Sequence, residues 1–527
     1  MVRHAMGTSQ TIAKNTVFNF IATASDLLIN LLIGIMLARG FGPTQYGLYS
    51  LLLWFLGFAT IVVNLGLGEM LTRYIAEAIG QQRKDVAAGL TRLGIILRGS
   101  AAFVVAVLVL AFSGFWVTLF GGHTSELYFS IIAITLIPHV LNFILIRIFA
   151  GFQKYEYGAF VILGTNPLRA ALVLVLMILG SGILEVLVMN LAVWLLGVFI
   201  GIFLLRRLIP LKNLLAPSPI SSAARSRALK YSLVMTGVVG INYLVYEQAN
   251  VFFIGLYCDV QDVGFYSLAS KLSRMTMLLV PSVFGAVLLP TIAEQFGRGD
   301  MDKLKQIYRT SARYIAILAL PLAASGIALA KPIITLLYGT DYLPAVFLMQ
   351  ILFIPFAMAS INRAASAVIF GINEAAYILR VGAFLGCLNI GLSLWLIPLY
   401  GTIGAAIASS IPLVLSLPFY ARFTSKRIGA AWPLLDMAKI ALAALIAGLA
   451  LFGLQSQLSA IPCLIISVPV GIVIYVGILL FLRVVKEQDL AILGGIQNLL
   501  PVALRKNYAA IVCLVDRLVK TRHAVWR

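Results

Sequence analysis

The sequence predicts an all-α integral membrane protein with about 14 transmembrane helices. Its 527 residues are 61% hydrophobic and 11% charged, with a mean hydropathy of +1.02, whereas soluble domains are about half apolar and a quarter charged. Apolar runs of about 20 residues, the length that a helix needs to cross the hydrocarbon core, recur along the whole chain. The Lys and Arg residues between these runs fall mainly in every second loop, which is typical of a multi-pass membrane protein.

The apolar runs define the predicted spans in chain order. The first 14 residues are polar and lack the short apolar core of a cleavable signal peptide, so we expect the first run to be a retained helix. The predicted spans are 15–37, 46–66, 94–112, 127–147, 158–180, 183–205, 231–256, 264–290, 313–331, 345–370, 376–397, 401–421, 436–454 and 460–482.

The distribution of basic residues predicts the orientation of the chain. With the N-terminus in the cytoplasm, the odd-numbered loops hold only Arg39 and Lys331, and the even-numbered loops hold the other loop cations. A missed or invented helix would reverse this alternation downstream of it. We therefore expect both termini in the cytoplasm. The net charge of +20 is explained by these loops and does not indicate binding to nucleic acid.

An internal repeat divides the chain. At a shift of 217 residues, GLYSL at Gly47–Leu51 matches GFYSL at Gly264–Leu268, and 47–92 shares 13 of 46 positions with 264–309. Each copy holds six predicted helices, an even number, so both copies enter the membrane in the same direction. We expect two six-helix lobes related by a pseudo-two-fold axis along the membrane normal, with substrate bound between them near mid-membrane.

The predicted domain boundaries follow the spans and the polar breaks. They are an N-terminal lobe at 1–205, a cytoplasmic linker at 206–230, a C-terminal lobe at 231–421, two extra helices at 422–485 and a basic tail at 486–527. The tail alternates apolar and basic positions. This pattern indicates an amphipathic helix on the cytoplasmic leaflet or a basic tail without fixed structure.

Polar residues on span 1 recur at steps of three and four, which places them on one helical face. They are Asn15, Asn19, Thr23, Asp26 and Asn30. A charged group inside the membrane is costly, so it faces a hydrated cavity or a partner on another helix. Asp26 lies close to the middle of its predicted span. The face therefore predicts a cavity lining or a polar contact between helices.

The equivalent helix of the second copy, span 7, carries Glu247 and Asn250. In the register of the repeat Glu247 matches Asn30, so the acids Asp26 and Glu247 lie about one turn apart on equivalent helices. Both are candidates for coupling to H⁺ or Na⁺, because a carboxylate in a low-dielectric cleft can titrate near neutral pH. Static pairing with nearby arginines is the alternative.

Span 8 carries Lys271 and Arg274 on one face, at predicted depths of about 10 and 15 Å, too deep for easy snorkelling. The matching residues of the first copy are Trp54 and Gly57, so this charge is specific to one copy. We interpret it as an anion-binding site. Permanent pairing with Glu247 is the alternative.

Further arginines lie inside predicted spans. Arg169 in span 5 and Arg363 in span 10 are expected to add to a cationic cavity, whereas Arg98, near the cytoplasmic end of span 3, is expected to snorkel. Such a cavity suits phosphate or pyrophosphate, which Lys and Arg bind with charge-assisted hydrogen bonds. The full set of predicted substrate-binding residues is Lys271, Arg274, Arg169, Arg363, Asn19, Asn30 and Asn250.

The sequence contains no constellation typical of an enzyme. The four cysteines and four histidines are dispersed, and neither a CxxC pair nor a Cys/His cluster occurs. We therefore predict no catalytic residues, no metal and no cofactor.

Several segments resemble the bacterial oligosaccharide flippases, a polysaccharide-export branch of the multidrug/oligosaccharidyl-lipid/polysaccharide superfamily. The resemblance covers about residues 10–425. This chain departs from the family in span 7. Many members have Asp five residues before a Gly, where this chain has Asn250 before Gly255. The resemblance therefore implies no ion-coupling role for span 7. The segments are ARGFGPTQYGLYSL at 38–51, LGLGEMLTRYIAE at 65–77, AGFQKYEYG at 150–158, VGFYSLASKL at 263–272, ALAKPIITLLYGTDYLPA at 328–345 and IPLYGTIGAAIAS at 397–409.

The resemblance implies a V-shaped pair of lobes around a cationic cavity in the bacterial inner membrane. It also implies transfer of an undecaprenyl-pyrophosphate-linked oligosaccharide from the cytoplasmic to the outer leaflet, by alternating access, with membrane lipids and a polysaccharide polymerase or export machinery as partners. The alternatives are a lipid II flippase, a drug/cation antiporter of the same superfamily, a membrane sugar polymerase or ligase, and a structural partner without transport. In the predicted cavity basic residues outnumber acids, which disfavours the antiporter. The outward loops are short, which disfavours the enzyme.

Overall fold

The computed structural model describes residues 2–122, 124–210, 222–246, 249–485 and 489, which form helices and no strand. They also include a 3₁₀ turn at Thr340–Tyr342. The α-helices are α1 (Val2–Asn64), α2 (Leu67–Gly80), α3 (Lys84–Ala111), α4 (Ser113–Leu119), α5 (Glu126–Gly151), α6 (Tyr155–Ile178), α7 (Ile183–Leu208), α8 (Ser222–Tyr246), α9 (Ala249–Tyr257), α10 (Val260–Arg298), α11 (Met301–Ala328), α12 (Ala330–Leu337), α13 (Ala345–Gly371), α14 (Ala375–Ile428), α15 (Leu434–Gln455) and α16 (Ala460–Phe481).

Ten of the described helices are long and apolar enough to cross a membrane. Two of these, α1 and α14, are interrupted at Gly42 and Gly401, where φ is 72° and 56°. Only glycine adopts such positive φ readily, so each residue divides its helix into two membrane-length segments. The seventh predicted span lies on α8 and α9, and the eighth on α10. The prediction of an all-α membrane protein with about 14 transmembrane helices is confirmed.

The predicted linker and the predicted basic tail fall only partly within the described residues. Helix α7 continues to Leu208 and α8 begins at Ser222, so both helices extend into the predicted linker. Residues 211–221 of that linker, Glu247, and the tail at 486–527 apart from Asp489 lie outside the described part of the chain.

The chain forms two compact units. The first comprises Met1–Leu268 and Leu379–Pro412, and the second comprises Ala269–Ile378 and Leu413–Arg527. Each unit therefore combines segments that are far apart in sequence. The lobe boundaries predicted from the repeat stay a prediction.

The first unit is built around α5. This helix packs against α2, α3 and α7, while α1 packs along α6. The core at one end buries apolar residues of α2 against α5, among them Leu71, Ile75, Ile148 and Phe149. Helix α2 follows the second predicted span and has an apolar face at helical spacing, which explains why it lies on the bundle instead of crossing the membrane.

The second unit is built around α11, which packs against α13 and α15. Helix α15 packs in turn on α16. Small residues allow close approach: a methyl group added at Gly448 would lie 3.2 Å from Cβ of Ala324. The hydroxyl of Tyr475 on α16 donates to the carbonyl of Ile317 at 2.9 Å. The two extra helices are therefore attached to α11.

Equivalent tyrosines of the two repeat copies make equivalent contacts within the first unit. Tyr49 accepts a hydrogen bond from Asn190 of α7 at 3.3 Å, and Tyr266 donates to Ser409 of α14 at 3.3 Å. In the predicted order of spans, each bond joins the second helix of a copy to its sixth. This correspondence supports the internal repeat.

The equivalent glycines of the repeat contact each other. A methyl group added at Gly264 would lie 3.1 Å from Cα of Gly47, and one at Gly47 would overlap the carbonyl oxygen of Val260. Backbone atoms of α1 and α10 therefore pack directly against each other, which only glycine permits at this distance.

Replacement of Gly47 by alanine is expected to destabilise the protein by about 2 kcal/mol or more, because the new methyl group displaces backbone atoms. Thermal unfolding of the purified protein in detergent measures the effect. Gly57→Ala on the same helix is the matched control, since a methyl group there meets no atom within 4 Å. Equal midpoints for the two variants would contradict the predicted close contact.

Candidate functional site

A chain of polar side chains joins α1 to α6 inside the first unit. Asp26 Oδ1 accepts hydrogen bonds from Asn30 Nδ2 at 2.9 Å and from Asn166 Nδ2 at 2.8 Å. Asn30 Oδ1 in turn accepts a hydrogen bond from Arg169 Nη2. The amide of Asn30 therefore lies between a carboxylate and a guanidinium, and it is oriented to satisfy both.

The sequence places these residues where they can meet. Asp26 and Asn30 are one turn apart on α1, and Asn166 and Arg169 are about one turn apart on α6. Pro167 lies between the latter two and removes one backbone donor from the middle of α6. Of the residues predicted for the site, the structure brings Asp26, Asn30 and Arg169 together, and it adds Asn166.

Arg169 is 9% exposed and is oriented by an aromatic ring as well as by Asn30. Its guanidinium lies 5.9 Å from the centre of the Trp194 ring, within range of a cation–π interaction. The edge of His139 packs on the same ring at 4.6 Å, and Thr60 lies 3.1 Å from His139 Nδ1. Nε of Arg169 has no hydrogen-bond partner among the described residues. Arg169 therefore carries one buried donor without an acceptor in the described part of the chain.

The other predicted residues of the first unit lie apart from this chain. Asn19 is exposed. Asn250 is buried, where its amide donates to the carbonyl of Ala405 at 2.8 Å and accepts from Ser393 at 2.8 Å. These bonds join α9 to α14, so the structure assigns Asn250 a contact between helices. Substrate contact by Asn19 and Asn250 stays a prediction.

The predicted cations of the second unit lie on α10 and α13. Lys271 and Arg274 are half-buried on α10, and Arg363 is exposed on α13. Ser273, between the first two, is fully buried and donates to the carbonyl of Met349 at 3.2 Å. That contact fixes the rotation of α10 against α13. The prediction that Lys271 and Arg274 form an anion site stays a prediction.

Arg98 was expected to snorkel, and this prediction is wrong. The residue is 0% exposed, because α2 packs against α3 and covers it. Its guanidinium lies over the ring of Phe143 at 4.9 Å, and none of its three side-chain nitrogens has a hydrogen-bond partner among the described residues. The helical spacing of apolar residues in 67–80 is the sequence signal that could have revealed this cover.

A second arginine and an acid lie beside Arg98. Arg147 lies over the same Phe143 ring at 5.2 Å and is 3.5 Å from Glu69 Oε1. The other carboxylate oxygen, Glu69 Oε2, is buried without a hydrogen-bond partner among the described residues. Two cations therefore share one acid, and Arg98 is the cation further from it.

Comparison with known proteins identifies the family. Residues 36–347, more than half of the chain, match the family model described as polysaccharide biosynthesis protein. The chain belongs to this family. The resemblance stated from the sequence motifs is thereby confirmed.

Two curated relatives of this polysaccharide biosynthesis protein come from Haloferax volcanii. One is a probable low-salt glycan biosynthesis flippase, 20% identical over 49% of this chain and 54% of its own length. The other is a probable flippase, 25% identical over 42% of this chain and 45% of its own length. The chain thus spans about half the length of these two relatives.

Similar solved structures identify the fold of this chain. An inward closed conformation of the lipid II flippase MurJ aligns with a TM-score of 0.71 over 89% of this chain and 99% of its own, at 16% identity. An inward-facing multidrug resistance MATE transporter aligns with a TM-score of 0.63 over 76% and 94%, at 18% identity. The protein therefore has the fold of these transporters.

The part of this polysaccharide biosynthesis protein that the structure describes contains no group of three or more His, Cys, Asp or Glu residues able to hold a metal ion. The polar chain of the first unit consists of guanidinium, carboxylate and amide groups. Such groups bind and orient an ionic ligand.

Replacement of Arg98 by methionine is expected to raise the free energy of unfolding by about 1–4 kcal/mol, because a buried charge without hydrogen bonds is removed at similar volume. Thermal unfolding in detergent measures the change. Arg147→Met is the control: it leaves Glu69 without its cation and is expected to lower stability. A large loss of stability in Arg98→Met would contradict the absence of a partner for this guanidinium.

Proposed function

We propose that this protein moves a polyprenyl-pyrophosphate-linked oligosaccharide from the cytoplasmic to the outer leaflet. The observation that carries the proposal is the buried Arg169 of α6, held through Asn30, inside a membrane-spanning member of a polysaccharide biosynthesis family. A charged side chain in the membrane interior is costly and marks a substrate or ion pathway.

The chemistry of this site favours an anionic head group. Guanidinium and ammonium groups bind phosphate oxygens with short, charge-assisted hydrogen bonds, and they repel cations. Arg169 in the first unit and Lys271 with Arg274 in the second supply three such groups. We propose that each of these cations binds the pyrophosphate at some stage of its passage, and that amides such as Asn30 bind sugar hydroxyls.

The family and the relatives favour a glycan over other lipid-linked cargo. The family model is one of polysaccharide biosynthesis, and both Haloferax relatives carry the word flippase in their names. Repeat units of O-antigen, capsule or exopolysaccharide fit this description. The fold shared with a lipid II flippase makes lipid II the alternative substrate for a direct comparison.

We also propose the membrane, the orientation, the partners and the coupling group of this transport. The charge of the loops favours an inner-membrane protein with cytoplasmic termini, and a polymerase or export machinery would use the delivered glycan. Asp26 is the candidate for coupling to H⁺ or Na⁺, since it is the one carboxylate of the polar chain on α1 and α6. Glu247 keeps the same candidacy from sequence alone.

Replacement of both Lys271 and Arg274 by alanine is expected to reduce translocation at least about tenfold, because two charge-assisted hydrogen bonds to phosphate are lost. Vesicles containing the purified protein and a fluorescent polyprenyl-pyrophosphate sugar measure the rate, and a parallel set with lipid II tests the alternative substrate. Arg298→Ala, exposed near the end of the same helix, is the matched control. Unchanged flipping by the double variant, with normal membrane insertion, would reject the anion site.

Replacement of Asp26 by asparagine is expected to remove any acceleration of flipping by an imposed proton or sodium gradient. The asparagine keeps an oxygen acceptor for Asn166 and lacks the charge that binds a coupling ion. The same vesicle assay, run with and without each gradient, measures the response. A gradient response as large as that of the unmodified protein would exclude Asp26 as the coupling group.

A further inference from the structure

The second unit contains a cavity of about 500 Å³ between the start of α11 and the segment that leads into α15. The α11 wall includes Lys305, Arg309 and Arg313, and the opposite wall includes Trp432. The loop charges predict that this end of the helices is cytoplasmic. The cavity belongs to none of the sites described above.

The basic wall follows from helical spacing. Lys305, Arg309 and Arg313 recur at steps of four and therefore lie on one face of α11. Nε of Arg309 donates to the carbonyl of Ala431 at 3.1 Å, which holds this side chain across the cavity. The cavity thus presents a guanidinium that the fold has already positioned.

The deepest cation is Arg313, which is buried. One terminal nitrogen pairs with Asp489, and the other lies 3.4 Å from the carbonyl of Val484. Its Nε is buried and has no hydrogen-bond partner among the described residues. Because this nitrogen has almost no accessible surface, Arg313 forms part of the cavity floor and does not reach a ligand in it.

Two acids also lie on the wall, Asp302 and Asp436. Asp302 bonds to Lys305 at 2.9 Å, and its side chain is 94% exposed. An ion pair between exposed groups contributes at most about 1 kcal/mol, so a phosphate can displace the carboxylate from Lys305. Of the three basic residues on the wall, Arg313 is neutralised by Asp489, which leaves Lys305 and Arg309 as the cations that a ligand can reach.

Apolar residues beside the cavity indicate where the bilayer begins. Trp432 packs edge-on against the buried ring of Tyr308 at 6.1 Å. Leu434 and Leu435 are 73% and 70% exposed in the first turn of α15, a helix long and apolar enough to cross a membrane. Tryptophan prefers the membrane interface, and exposed leucines at such a position contact acyl chains. A basic cavity and a lipid-facing surface therefore meet at one point.

We propose that this cavity binds the phosphate head group of an anionic phospholipid from the adjacent leaflet. Lys305 and Arg309 contact the phosphate, and Arg313, paired with Asp489, lies beneath them. Trp432 lies at the level of the ester groups, and Leu434 and Leu435 contact the acyl chains. Basic pockets between transmembrane helices on the cytoplasmic side are suited to such head groups. The bound lipid would connect α11 to α15, one of the two helices outside the repeat.

The test uses the full-length protein in detergent and three probes: cardiolipin, phosphatidylcholine and inorganic phosphate. Native mass spectrometry counts bound lipid, and thermal unfolding measures the shift in midpoint. Cardiolipin is expected to bind and to raise the midpoint, and phosphatidylcholine is not. In Lys305→Ala/Arg309→Ala the affinity for cardiolipin is expected to fall about tenfold or more. Lys303→Ala, exposed on the same helix and outside the cavity, is the matched control and is expected to bind as the unmodified protein does.

Each contrary result overturns a defined part of the proposal. Equal affinity for cardiolipin in the double variant and in Lys303→Ala would reject the cavity as the site. Equal binding of phosphatidylcholine would reject a requirement for net negative charge. Binding of inorganic phosphate as tight as that of cardiolipin would identify a soluble anion as the ligand. None of these measurements uses a glycan substrate, so they stand apart from the test of flipping.

Discussion

The chain Asp26–Asn30–Arg169 is the interaction on which the first unit depends, because it places opposite charges in the membrane interior without leaving either unsolvated. An isolated ion in hydrocarbon costs several kcal/mol, and no water is available there to reduce this cost. The amides of Asn30 and Asn166 reduce this cost by donating hydrogen bonds to the Asp26 carboxylate. Asn30 also accepts a hydrogen bond from the Arg169 guanidinium. The helices α1 and α6 are therefore joined by a polar contact between opposite charges.

Beyond its break, α1 makes a second close contact, which is backbone packing against α10. Gly47 and Gly264 let α1 and α10 touch at their backbones, and the positive φ of Gly42 breaks α1 just before that contact. Without that break, the polar face of the first segment would continue straight into the second. Lipid-facing helices gain little from hydrophobic burial, so small residues and polar bonds carry the specificity of packing.

The features that could be predicted from sequence are those with a long periodic signal. Length and apolarity located the fourteen spans, and three- to four-residue spacing placed Asp26 and Asn30 on one face. Partners across helices could not be predicted, because neither Asn166 beside Asp26 nor Ala405 beside Asn250 follows from spacing within one helix. The prediction for Arg98 was wrong for a related reason. Its burial depends on α2, a short helix in a region that composition indicates only as a loop.

The two copies of the repeat share side-chain contacts of their tyrosines and differ in charge at nearby positions. Tyr49 and Tyr266 still bond to equivalent helices, whereas the positions of Lys271 and Arg274 are occupied in the first copy by Trp54 and Gly57. There Trp54 stacks on Phe58 at 5.6 Å and on Phe252 at 5.4 Å. Aromatic packing at this site shows that the fold does not require charge there. A cation at the equivalent place costs about 2.5–3.5 kcal/mol at the bilayer centre, so its presence in one copy alone supports our proposal that it serves a ligand.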